Sequence, residues 1–112
     1  MLPYKNRLTK ERDFQKTYKG QGVKSLFFSL RFQKNRLKET RIGVVVGKKV
    51  SVKSTKRNRL KRRMREVFKS ALPRIEKSFD IAVIAYPQSV NLEFKKIEED
   101  INFLLKKAKL LL

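Results

Sequence analysis

The stretch KSTKRNRLKRRMR, from Lys53 to Arg65, holds eight Lys or Arg in thirteen positions and no acid, and it restricts what the chain can fold around. No Asp or Glu occurs from Thr40 to Arg65, so pairing within a helix cannot balance the run, and like-charge neighbours cost roughly a few tenths of a kcal/mol each. From about Lys56 the apolar residues Leu60, Met64, Val67, Phe68 and Ala71 recur at i, i+4, i+7, i+8 and i+11, the stripe of a core-facing helix. At about 100° per residue, Asn58, Arg59, Arg62, Arg65 and Lys69 fall on the opposite face, with Lys61 and Arg63 on the flanks. One side of this helix is core and the other almost purely cationic. A mixed Lys/Glu face is usually just solvated. A face with no acids is stable chiefly beside a polyanion, and nucleic acid fits that description. The wealth of Arg points the same way, because a planar guanidinium forks onto a phosphate or base edge where an ammonium does not. Asn58 inside the cluster either reads a base or makes a helix-end hydrogen bond.

The rest of the chain supplies a sheet and two more helices. Thr9 is placed to cap a first helix, with Glu11 and Asp13 in its first turn and Gly20 as its stop. Val23 to Phe32 alternates as a strand, with Leu26, Phe28, Leu30 and Phe32 on one face, and a Gly-containing lead-in adds room for a short extra strand. After a polar turn from Lys34 to Thr40, the nearly continuous apolar run RIGVVVGK reads as a central strand, paired most simply with its predecessor as a hairpin. Ser51 to Thr55 supplies cap chemistry for the basic helix, and Pro73 ends it near Leu72. DIAVIAY is a further buried strand stopped by Pro87. A last helix, capped by Asn91, carries Ile97, Ile101, Leu104, Leu105 and Ala108 on one face. Helix, strands, helix, strand, helix in that order predicts an α+β two-layer sandwich, one domain over residues 1–112, with helices covering one sheet face or part of it.

Charge and missing residue types narrow the chemistry. Thirty basic against ten acidic residues leave a formal net charge of +20. With neither Cys nor His, disulfides, thiolate and imidazole metal sites and the commonest general base are all excluded. Glu98, Glu99 and Asp100 lie on the polar face of the last helix among lysines, an ion-pair face in preference to a metal cluster. Asp13, Glu66 and Asp80 do not assemble by sequence into a two-metal site. MLPYKNRLTKERDF has no signal-like apolar stretch and no run approaches a membrane span of about 18 residues, so a cytoplasmic protein with no membrane partner is expected. Phe14 and Tyr18, four apart among Lys10, Arg12, Lys16 and Lys19, offer an aromatic platform in a cationic groove, as single-stranded RNA binders have. The same pair reads equally as an aromatic stripe packing on the sheet.

The string KRNRLKRRMRE, preceded by RIGVVVGKKV and a short polar loop, resembles the Arg-Asn-Arg signature of the bacterial ribonuclease P protein subunit family. KERDFQKTYK, DIAVIAYP and an apolar final helix extend the resemblance, in order and spacing, over nearly the whole chain. Ser54 stands where that signature usually has Ala, and Tyr86 where Arg is frequent. The resemblance implies the order αβββαβα with a left-handed β-α-β crossover. It also implies an RNA-binding subunit of an endoribonuclease, one that helps a catalytic RNA remove the 5′ leader of precursor tRNA. The catalytic centre, and the Mg2+ it uses, are then expected in the RNA, with no cofactor bound by a protein motif. Matched by position, Lys53, Lys56, Arg57, Asn58, Arg59, Lys61, Arg62 and Arg65 would face the catalytic RNA. Phe14 and Tyr18 would contact the leader, with Arg31 and Lys48 as phosphate contacts. A monomer, one copy per RNA, is the implied stoichiometry. Rival readings are a ribosomal or nucleoid protein using the same helix on structural RNA or DNA, a protein-only nuclease, and a secreted membrane-active peptide.

Overall fold

In the computed structural model, which describes residues 2–112, the apolar stripe folds as expected. Leu60, Met64, Val67, Phe68 and Ala71 are all buried on the underside of α2 (Ser54–Ala71). Each large buried side chain contributes roughly 1.5–3 kcal/mol, against a few tenths for each like-charge contact above it, so the underside holds the helix in place. Before it come α1 (Glu11–Tyr18), β1 (Gln21–Lys24), β2 (Phe28–Lys34) and β3 (Arg41–Val45). After it come β4 (Phe79–Ala85) and α3 (Phe94–Lys107), with Pro73 inside a 3-10 turn that ends α2. On α3, Ile97, Ile101, Leu104 and Leu105 are buried, and Ala108 is half-buried just past its end.

The sheet runs β1-β2-β4-β3, antiparallel except for the parallel β3/β4 pair. Two expectations fail here: β2 and β3 form no hairpin, and β3 is an edge strand. β4 lies between them because it is buried on both faces, with Ile81 and Val83 on one and Asp80 and Ala82 on the other. Such a strand needs a backbone partner on each side. A parallel neighbour requires a crossover, and α2 is that crossover. The outer edge of β3 is covered in part by the N-terminal segment, where Arg7 bridges Ile42 and the Leu8 N–H donates to the Ile42 carbonyl at 3.0 Å.

The strand expected from Val23 to Phe32 is broken at Ser25. Its Oγ accepts from the Phe27 and Phe28 N–H groups, both at 3.2 Å, and bonds Asp100 of α3, so the chain turns there and Leu26 is left exposed. None of the three expected side-chain caps forms. Lys10, Lys53 and Glu93 occupy the N-cap positions of α1, α2 and α3, while Ser51 Oγ accepts instead from the Lys53 N–H in the preceding loop.

Strand register sets three rows of residues on the sheet face away from α2. They are Gln33-Asp80-Arg41, then Arg31-Ala82-Gly43, then Ser29-Ile84-Val45. The opposite face carries Phe28, Leu30, Phe32, Ile81 and Val83 into the core beneath α2 and α3. Contacts at Gly43 and Arg31 lay α1 across the middle row, so it occupies the second sheet face.

Candidate nucleic-acid interface

The cationic side of α2 stands clear of the protein. Lys53, Asn58, Arg59, Arg62 and Arg65 are exposed, and Lys56, Arg57 and Lys61 are half-buried. None of these cations forms an ion pair among the described residues. Two arginines of the helix have structural partners. Arg57 Nη1 donates to the Ser51 carbonyl at 2.8 Å, closing the loop onto the first turn, and Arg63 Nη1 donates to the Leu92 carbonyl at 3.1 Å. Arg59, Arg62 and Arg65 therefore form a ridge of guanidiniums held from below and free above.

On the other face, Phe14 and Tyr18 stand with ring centroids 6.0 Å apart and planes tilted by 44°. Both are half-buried. A Cβ on Gly43 would lie 2.3 Å from Phe14 Cζ, so the bare β3 backbone is the seat of that ring. Gly43→Ala is expected to push Phe14 off the strand and cost about 1–3 kcal/mol, checked by denaturant unfolding; an unchanged midpoint would show that the ring is not seated there. Burial, and secondarily the negative field of Glu11, raise the pKa of the Tyr18 phenol above its usual value of 10.0, so the ring presents a neutral O–H.

The remaining expected contacts divide. Arg31 donates from Nε and Nη2 to the Tyr18 carbonyl at 3.1 and 2.7 Å and from Nη2 to the Gly20 carbonyl at 2.6 Å. It thus holds the C-terminal end of α1, a favourable place for a cation. Gly22 admits this, since a Cβ there would meet Arg31 Nη1 at 2.4 Å. Lys48 is exposed in the turn after β3. Ser54 opens α2 in solvent, and Tyr86 is half-buried at the end of β4 with its N–H on the Phe27 carbonyl at 2.9 Å.

Two groupings were not visible in the sequence. Arg65 and Phe14, expected on different surfaces, line one cavity of about 450 Å3 with Arg7, Leu8 and Gly43. Asp13 and Asp80 converge on one guanidinium: Arg41 Nε and Nη2 fork onto Asp80 at 2.9 and 2.7 Å, while Nη1 donates to Asp13 at 3.3 Å. Asn35 Nδ2 adds a 2.8 Å bond to Asp80. The Arg41 pKa is raised, chiefly by the hydrogen bond to Asp80. These carboxylates lock β3, β4 and α1 together, and among the described residues no group of three His, Cys, Asp or Glu is placed to hold a metal ion. No described helix is long and apolar enough to cross a membrane.

Fold and surface together define a small cationic α+β protein with a guanidinium ridge on α2 and an aromatic pair on α1, which lie on opposite sheet faces and meet at the cavity shared by Arg65 and Phe14. The family model described as Ribonuclease P matches residues 2–109. A ribonuclease P protein component from a Pseudanabaena species is 37% identical, over 99% of this chain and 97% of its own length. That of Thermotoga maritima is 38% identical, over 84% of this chain and 80% of its own. The solved Staphylococcus aureus RNase P protein superposes with a TM-score of 0.88 at 32% identity, covering 96% of this chain and 98% of that one. The chain belongs to the ribonuclease P protein family, whose αβββαβα order it shares, and membership makes it a subunit of an endoribonuclease assembly.

Proposed function

We propose that the chain is the RNA-binding cofactor of ribonuclease P, assisting a catalytic RNA in removing the 5′ leader from precursor tRNA. The observation that carries this reading is the exposed α2 ridge, where Arg59, Arg62 and Arg65 form no ion pair among the described residues. Lys53, Lys56, Arg57, Asn58, Arg59, Lys61, Arg62 and Arg65 serve the catalytic RNA, one copy of the chain per RNA. Arg57 does so largely by shaping the loop before α2. The leader runs on the opposite face, beside Phe14 and Tyr18, with Lys48 near its path. Arg31 acts there by holding α1 and by its charge. Such an arrangement sets the protein between its two RNAs. The hydrolytic centre and its Mg2+ belong to the catalytic RNA, since Asp13 and Asp80 are engaged by Arg41. Each phosphate neutralised releases counterions, so affinity falls steeply with salt.

Reconstitution tests the reading. Adding the chain to the catalytic RNA at low magnesium is expected to restore leader removal, whereas the RNA-free protein leaves precursor intact. Cleavage by the protein alone would overturn it. Tyr18→Ala is expected to weaken precursor binding by roughly 5- to 30-fold, as for one lost stacking partner of about 1–2 kcal/mol, with mature tRNA binding unchanged. Equal weakening of both would make Tyr18 a packing residue.

A further inference from the structure

The cations around α1 do not gather with the aromatic pair. Asp13 and Thr17 face the sheet, and at about 100° per residue Phe14 and Tyr18 fall on one flank of the helix, Arg12 and Lys16 on the other. Asp13 reaches Arg41 in the Gln33-Asp80-Arg41 row, so α1 splits its sheet face in two. On the side away from the rings lies a concavity of about 430 Å3, rimmed by Lys10, Arg12, Lys16, Lys34 and Arg36. All five are exposed and come from α1 and its N-cap, the end of β2 and the turn after it. The acids lining the same hollow, Asp13 and Asp80, are bound to Arg41 on its floor, which leaves the rim positive. Arg12, 4.0 Å from Asp13, is the one rim cation in an ion pair among the described residues.

We propose that this hollow is a second substrate site, taking phosphodiester backbone of the precursor tRNA outside the segment beside Phe14 and Tyr18. It rests on the reading given under Proposed function, in which the catalytic RNA covers the α2 side. A polyanion reaching this hollow lies on the other sheet face, where the substrate is. α1 stands between the hollow and the rings, so backbone bound in one is not the backbone bound in the other. A hollow rimmed by ammonium and guanidinium groups, without an exposed aromatic ring, suits phosphates and not bases.

The test is the triple variant Lys16→Gln, Lys34→Gln, Arg36→Gln, which leaves Arg41 and both its carboxylates in place. Its control is Lys95→Gln, Lys106→Gln, Lys109→Gln, which removes the same charge from exposed positions on and just after α3. In the reconstituted holoenzyme the first variant is expected to bind precursor about 10-fold more weakly, with the slope of log affinity against log salt shallower by about 2. The control is expected to change affinity less than threefold. Affinity for the catalytic RNA alone is expected to be the same in all three proteins. Weaker catalytic-RNA binding by the first variant, or equal precursor losses in both variants, would overturn the proposal. Failure of the underlying reading looks different: wild-type protein would then give no preference for precursor over mature tRNA.

Discussion

Replacing Arg59, Arg62 and Arg65 together by Glu is expected to weaken binding to the catalytic RNA by about 100- to 1000-fold near 0.1 M salt. Each substitution removes a guanidinium able to fork onto a phosphate and installs a repelling charge at an exposed position. None of the three makes a hydrogen bond or ion pair among the described residues, and the grip of α2 on the core comes from Leu60, Met64, Val67 and Phe68. Unfolding free energy is therefore expected to change by no more than about 0.5 kcal/mol. Binding titrations across a salt series, with thermal unfolding of the free protein, read both quantities. A loss under threefold, or an equal loss of leader contact with short substrates, would defeat the division into two faces.

Arg41→Ala is expected to be the most damaging single substitution away from the apolar core. Asp80, only 7% exposed, would lose its forked partner, and Asp13 would lose its tie to β3. Removing one partner of a buried pair costs about 3–5 kcal/mol, and the partial exposure of Arg41 places the cost near 3. For a domain of this size, that lowers the melting temperature by about 10 °C or more. Arg41→Lys, which keeps the charge but loses the fork, is expected to recover part of the loss. Urea titrations of both variants measure it, and a cost below 1 kcal/mol for Arg41→Ala would mean that the carboxylates are satisfied by water.

Local periodicity carried much of the fold into the sequence. The stripe from Leu60 to Ala71 and the apolar face from Ile97 to Leu105 are spaced by the helix itself, so they could be read without knowing any neighbour. Strand order could not be read in this way. β2 and β3 are adjacent in sequence and joined by a polar turn, which favours a hairpin locally, yet β4 is the strand buried on both faces and takes the place between them. The site divided along the same line. The ridge is a property of one helix and was legible. The Arg41 knot joins residues 28 and 39 positions apart, and only the register of β3 on β4 brings Arg41 beside Asp80. Phe14 on Gly43 is equally non-local. The split of the α1 cations from the rings depends on which side of that helix meets the sheet, the side of Asp13 and Thr17, and its own sequence does not fix that side.

α1 spans only eight residues, far too few to persist as a helix in water on its own. It is clamped at both ends by guanidiniums from the sheet, Arg41 on Asp13 near its start and Arg31 on the carbonyls of Tyr18 and Gly20 at its finish. The wall that the two aromatic rings ride on is thus tied to the sheet at both ends by the chain's own side chains. On the function proposed above, a leader strand docking there meets a helix already held, and loosening either clamp is expected to weaken leader binding without touching a ring.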